Sequence, residues 1–167
     1  MPDIGPTGDA PRPVRVLFVC YANYCRSPAA EYYAKKWAVD HGLQGKFEIS
    51  SAGFNSWWGG AHPETVKALG EEGVDMSDFS SKNLSSKMVA DSDYVFTMGA
   101  SRRDLLRYTC AGADGKVFTL REFATGDDSA VLDPFDAPVE EYRATLVEIK
   151  RLVELVMEKV ARERGLA

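Results

Sequence analysis

The chain has 167 residues, 45% hydrophobic and 27% charged, which fits one globular domain with one sizeable core. Its net charge of −5 excludes the basic surface of a nucleic-acid or anionic-membrane binder. No apolar stretch approaches membrane-spanning length, no signal-peptide core opens the chain, and an odd three cysteines argue against a disulfide framework, so a cytoplasmic protein is expected. An acidic protein that handles anions must concentrate positive potential locally, on backbone N–H groups and single arginines.

Residues 1–13 are rich in Pro, Gly and Asp and read as a disordered tail, leaving 14–167 as a single domain. The apolar, β-branched run Val14 to Val19 predicts a buried parallel strand. It leads into Cys20-Tyr21-Ala22-Asn23-Tyr24-Cys25-Arg26-Ser27-Pro28, and Pro28 suits the first turn of a helix. That helix reaches about His41 with Ala30, Tyr33, Ala34 and Trp37 on one face, and Gly42 stops it. A second strand is expected near Phe47 to Ser50, then a loop carrying Trp57 and Trp58, then a helix from Pro63 to Glu72. Asp93 to Met98 and Lys116 to Leu120 read as strands, with a helix over Ser101 to Tyr108 between them. The last helix starts near Pro138, with Val139, Tyr142, Leu146, Ile149, Val153, Val156 and Val160 at three-four spacing. Strands alternating with helices give an α/β fold, a parallel sheet with helices on both faces, whose ligands bind beyond the carboxyl ends of the strands. Cys20 lies at such an end.

The segment from Cys20 to Pro28 has its own chemistry. Between a strand and a helix, successive loop N–H groups can form an anion-binding nest, reinforced by the helix N-terminus. Such a nest favours the thiolate of a cysteine at its base. Arg26 offers a planar fork for two phosphate oxygens, and Ser27 can donate to the thiolate. A thiolate below and an arginine beside a phosphoryl group allow in-line displacement. A lone cysteine at a strand end is commonly a small buried hydrophobe. Its conjunction with Arg26, Ser27-Pro28 and a following helix is far more specific. Expelling a poor leaving group also calls for a general acid, and Asp133, held by Pro134, suits that role; Asp-Pro is equally common turn punctuation. Cys25 is either a core-facing loop residue or a redox partner of Cys20. Cys110 reads as structural, His62 as a helix starter and His41 as an exposed helix-end residue.

Val16 to Pro28, VLFVCYANYCRSP, resembles the signature of the low-molecular-weight protein tyrosine phosphatases, in which a Cys-x5-Arg-Ser loop follows the first strand. Ser51-Ala52-Gly53, the run Asp93 to Met98 and Leu132-Asp133-Pro134 extend the similarity along nearly the whole chain after the tail. The resemblance implies a four-stranded parallel sheet with helices on both faces. It implies that Cys20 forms a phosphocysteine, that Arg26 binds the phosphoryl oxygens, and that Asn23 and Ser27 hold the loop. Tyr21, Ala22, Asn23, Tyr24, Cys25 and Ser27 would surround the phosphate. Asp133 would protonate the leaving group and then help deprotonate the attacking water. Trp57 and Phe135 would form facing walls of the rim, and Cys25 would form a reversible disulfide with Cys20 under oxidation. No metal or organic cofactor is implied; the partners would be phosphorylated proteins, with inorganic phosphate as product.

The family pattern is broken at three positions. Ala22 stands where Gly is usual, Tyr24 where an aliphatic residue or threonine is usual, and Asp78 where a histidine often supports the loop. The segment Val117 to Gly126 with Val131 to Phe135 resembles the bacterial protein-arginine phosphatases of the same family, which carry Thr at the position of Tyr24. The tryptophan-bearing loop resembles the tyrosine-specific branch instead, and phosphotyrosine is the expected substrate. Arsenate reduction on this fold needs a further cysteine relay, for which only Cys110 is available. A phosphoprotein-binding module would need neither the nucleophile nor the acid.

Overall fold

The computed structural model describes residues 11–167, so the tail reading for residues 1–10 lies outside the described residues. Arg12 is tied to the domain: its guanidinium donates to both carboxylate oxygens of Asp93 at 2.9 and 2.8 Å, and Asp93 also accepts from Arg15 N–H at 2.8 Å.

The chain runs β1 (Val14–Cys20), α1 (Arg26–Asp40), β2 (Phe47–Gly53), α2 (Pro63–Glu71), α3 (Ser86–Asp91), β3 (Tyr94–Thr97), α4 (Ala100–Thr109), β4 (Val117–Thr119), α5 (Leu120–Thr125) and α6 (Val139–Glu163). The four strands are parallel, in the order β2-β1-β3-β4. The continuous apolar run of β1 follows from burial on both faces. Val16, Phe18 and Cys20 join one core with residues of α1, α2, α5 and α6, while Leu17 and Val19 join a second with Val89 of α3 and Leu106 of α4. Strand order reverses around β1, so the loop after Cys20 emerges at a topological switch point.

The differences from expectation have local causes. β2 continues to Gly53 because Ser51, Ala52 and Gly53 pair with Phe18, Val19 and Cys20. β4 stops at Thr119 because Thr119 already caps α5. Its hydroxyl accepts from Glu122 N–H, and Glu122 accepts from Thr119 N–H, a capping box legible in Thr-Leu-Arg-Glu. Likewise α3 starts on Ser85, which accepts from Met88 N–H. Along α6 the expected apolar positions are buried except Val139 in the first turn.

Gly53 is the closest backbone neighbour of the loop. A Cβ there would lie 2.6 Å from Asn23 N, 2.8 Å from Ala22 C and 2.9 Å from Tyr21 O. Gly53→Ala should therefore lower unfolding stability by about 1–3 kcal/mol, the usual cost of overpacking, and weaken competitive inhibition by inorganic phosphate. Gly45→Ala, with nothing within 4 Å of its Cβ, is the control. Urea denaturation and phosphate inhibition constants measure the two effects.

Candidate active site

The carbonyls of the loop after β1 are fastened outward. Cys20 O accepts from Phe54 N–H at 3.3 Å, Tyr21 O from Asn55 N–H at 2.8 Å, and Tyr24 O from His62 N–H at 2.9 Å. The amides from Ala22 to Arg26 donate to no acceptor among the described residues, while Ser27 N–H points at Cys20 Sγ, 3.4 Å away. A run of undonated amides around a thiol, at the start of a helix, is an anion nest. Asn23 holds the turn at φ +52°, the left-handed region that asparagine tolerates. It is the one non-glycine with positive φ among the described residues. Ala22 thus needs no glycine torsion, and its Cβ does not distort the loop.

Buried side chains brace the loop from behind. Cys20 Sγ lies 2.9 Å from Ser27 Oγ. The Asn23 amide nitrogen donates to Ser27 Oγ at 2.8 Å and to Ser51 Oγ at 2.9 Å, and Ser51 donates to Glu31 at 2.6 Å. Lys82 N–H donates to Asn23 Oδ1 at 3.0 Å. Asp78 accepts instead from the Tyr32 hydroxyl at 2.7 Å, so the bracing behind Asn23 comes from Ser51, Glu31 and the Lys82 backbone. Ser51 and Glu31 were missed as site residues in the sequence reading. The available signal was Glu31 itself, a carboxylate on a largely apolar helix.

Arg26 and Asp133 meet beside the nest. One terminal nitrogen of Arg26 donates to Val131 O at 2.9 Å, and the other lies 3.6 Å from Asp133 Oδ2. Arg26 Nε is buried without a hydrogen-bond partner among the described residues. The Arg26 side chain is 13% exposed and Asp133 46%, so the arginine is fixed and the carboxyl faces the opening. Asp133 Oδ1 accepts from Phe135 N–H at 3.1 Å across Pro134, so the turn role and the site position coincide. Cys20, Ala22, Tyr24, Cys25, Arg26, Asp133 and Phe135 line one small cavity. A larger cavity between α1 and α6, beside Trp37 and Glu154, has no cysteine in its lining.

The entrance is aromatic, with one change from expectation. Tyr24 stacks on Trp58 at 4.5 Å and 11°, and Phe135 lies 5.7 Å from Trp58 and 6.0 Å from Tyr24. Trp57, expected at the rim, packs on the outer face of Trp58 at 4.3 Å and is 67% exposed. Trp58 is therefore the tryptophan in contact with the cavity-lining Tyr24 and Phe135. Tyr21 is also exposed, under the Arg102 guanidinium, outside the nest. Cys25 is buried in the core below the loop, with Tyr142 in the same cluster. Burial pushes its thiol up to about 12. Cys20 and Cys25 are both free, and Cys110 is separate from them and half-buried.

His62 caps α2, its Nδ1 accepting from Glu64 N–H at 3.0 Å, and it packs on Tyr24 at 5.1 Å. Burial holds this imidazole below its ordinary value, partly offset by Glu64. Only the unprotonated Nδ1 can accept that bond. Its stabilisation is complete above pH about 6.5 and is lost as pH falls through 6.5 towards the lower folded value. Asn keeps a capping oxygen without titrating. His62→Asn should therefore flatten the fall in melting temperature between about pH 7 and 5, measured against the parent by calorimetry across pH.

The sequence matches the family described as low molecular weight phosphotyrosine protein phosphatase over residues 15–166. The protein-arginine-phosphatase of Bacillus subtilis is 33% identical over 150 residues, covering 89% of this chain and 98% of its own. The low molecular weight protein-tyrosine-phosphatase YfkJ of the same organism is 32% identical over 149 residues, covering 88% and 93%. A solved YwlE arginine phosphatase, a cysteine-to-serine mutant with a phosphorylated active site serine, superposes with a TM-score of 0.83 at 30% identity, covering 92% of this chain and all of the other. With the four parallel strands and a thiol at the base of a free-amide loop, these matches establish that the chain belongs to the low molecular weight protein tyrosine phosphatase family of cysteine-dependent phosphatases.

Proposed function

We propose that residues 14–167 act as one protein phosphatase domain whose preferred substrate is phosphotyrosine, with Cys20 as nucleophile, Arg26 as phosphate clamp and Asp133 as general acid. The observation that carries the reaction is the run of undonated amides from Ala22 to Arg26 around Cys20 Sγ. The phosphoryl oxygens take those amides and the free Nε of Arg26. The Cys20 thiolate forms an S–P bond as the P–O bond to the leaving group breaks, and Asp133 delivers a proton to the departing oxygen. In the second step water attacks phosphorus, Asp133 takes its proton, and inorganic phosphate leaves as the thiolate re-forms. The phosphorylated serine in the superposing arginine phosphatase supports a covalent intermediate at this position. The ion pair between Arg26 and Asp133 supports a division of labour: an incoming anion takes over the arginine and leaves the carboxyl at the opening to face the leaving group.

Substrate choice rests on the entrance. An aryl ring would enter between Tyr24 and Phe135, backed by Trp58, and aromatic contact contributes about 0.5–1.5 kcal/mol per pair. That corresponds to a graded, few-fold to roughly tenfold preference per contact. Phosphoarginine is the second reading, favoured by the likeness to the protein-arginine-phosphatase. Its planar guanidinium can also stack on an aromatic face. Cys25 is proposed to protect Cys20 by a reversible disulfide after peroxide oxidation. Its protonated thiol makes that closure slow, because the thiolate is the attacking form.

Two measurements test this reading. Asp133→Asn should slow hydrolysis of aryl phosphates with poor leaving groups by about 100- to 10,000-fold and spare those with good ones; equal loss across the series contradicts the acid role. Tyr24→Thr should lower the ratio of kcat/KM on phosphotyrosine against phosphoarginine peptides. A parent enzyme that already prefers phosphoarginine reverses the substrate assignment and leaves the phosphocysteine chemistry standing.

A further inference from the structure

Each hydrogen bond behind the loop has an assignable direction, and the assignment starts at Glu31. Its carboxylate is only 7% exposed, on the α1 face shared with Ser27 and Lys35 at four-residue spacing. Lys35 donates to Oε2 at 2.7 Å and Ser51 to Oε1 at 2.6 Å. An ionised carboxylate only accepts, so the single proton of Ser51 is committed to it. Ser51 Oγ can then only accept from Asn23, at 2.9 Å. The Asn23 amide cannot flip, because its oxygen already accepts from Lys82 N–H. Its two nitrogen protons therefore go to Ser51 Oγ and Ser27 Oγ. The remaining proton of Ser27 is thus directed at Cys20 Sγ, 2.9 Å away.

We propose that Glu31 is a positioning residue that sets the direction of the chain Ser51–Asn23–Ser27, so that the Ser27 hydroxyl donates to the Cys20 sulfur. This rests on the reading of Cys20 as the reactive thiolate. Glu31 touches neither the sulfur nor the phosphate site; it acts by removing the other use of the Ser51 proton. Without an acceptor at Glu31, that proton turns back towards the Asn23 amide, donor meets donor, and Asn23 loses its hold on Ser27. Ser27 can then rotate its proton off the sulfur, and the thiolate loses a charge-assisted hydrogen bond. Lys35, 42% exposed, satisfies the second carboxylate oxygen and has no part in the relay.

The test is the pH dependence of Cys20 alkylation by iodoacetamide, read at Cys20 by fragment-ion mass spectrometry. Glu31→Met removes the acceptor at similar volume and should raise the alkylation midpoint by about one pH unit, the worth of one hydrogen bond to a charged group. On a Ser51→Ala background there is no serine proton to direct, so the same change should move the midpoint by less than about 0.3 unit. Additive shifts in this cycle, or no shift in Glu31→Met, overturn the proposal, since a packing or salt-bridge role predicts one or the other. Glu31→Gln keeps an acceptor oxygen without the charge and should recover most of the parent midpoint. A full-unit shift in Glu31→Gln, which stands even if Glu31→Met does not fold, would assign the effect to charge through space and overturn the hydrogen-bond account. Lys35→Ala serves as the control with the parent midpoint. Turnover of an aryl phosphate by the parent, measured separately, tests the phosphatase reading, so failure of one is distinct from failure of the other.

Discussion

An amide shielded from water without an acceptor costs free energy comparable to a lost hydrogen bond, and this fold places five amides with no acceptor among the described residues in succession, from Ala22 to Arg26. The cost is sustained because neighbouring segments hold the loop through its carbonyls. Phe54, Asn55 and His62 N–H groups each take one loop carbonyl, and Gly53 lets the following strand end approach to a distance that any Cβ would prevent. The peptide planes then have one orientation left, with their donors turned inward. An anion bound among them recovers what the fold leaves unpaired. The proposed anion site around Cys20 therefore arises from a single backbone constraint.

Much of this was legible in the sequence because it is local. The apolar run of β1, the cysteine, the arginine six residues later and Ser27-Pro28 lie within fifteen residues and have one good structural solution. The three-four spacing of α6 was equally readable. The capping box at Thr119 and Glu122 was present in the sequence, but the apolar run before it read as a longer strand. Which tryptophan faces the site was not readable, because consecutive loop residues carry no period. The choice of Trp58 depends on Tyr24 offering a ring to stack on, from a segment thirty-four residues away. Glu31 was invisible for a related reason: its partner Ser51 comes from β2, and only the register of β1 with β2 brings them together.

The three departures from the family pattern have unequal weight. Ala22 is benign, since the strained torsion falls on Asn23. Asp78 is displaced from the loop bracing and serves Tyr32. Tyr24 matters, because it moves the site wall from an aliphatic or hydroxyl side chain to a ring in contact with Trp58, His62 and Phe135. Its hydroxyl is held protonated above its ordinary value by burial, so the residue presents a neutral aromatic face over the physiological range.

The loop is also held from the far end of the chain. Tyr142, near the start of α6, shares a 2.6 Å hydrogen bond with Thr65 of α2, and Thr65 donates to Cys25 O at 3.5 Å. Burial keeps both the Tyr142 phenol and the Cys25 thiol in their neutral forms. The two cysteines of one loop thus occupy opposite environments. Cys20 faces the open amides and a directed serine proton, while burial disfavours the anion of Cys25 more than nearby Arg26 favours it. A nest that stabilised both thiolates would set two negative charges against each other and against the phosphate. Turning Cys25 into the core, where burial keeps its thiol neutral, leaves the proposed anion-binding capacity of the loop to Cys20 and the substrate. The segment from Pro138 onward is therefore part of the active-site architecture, although it supplies no group that touches the reacting atoms.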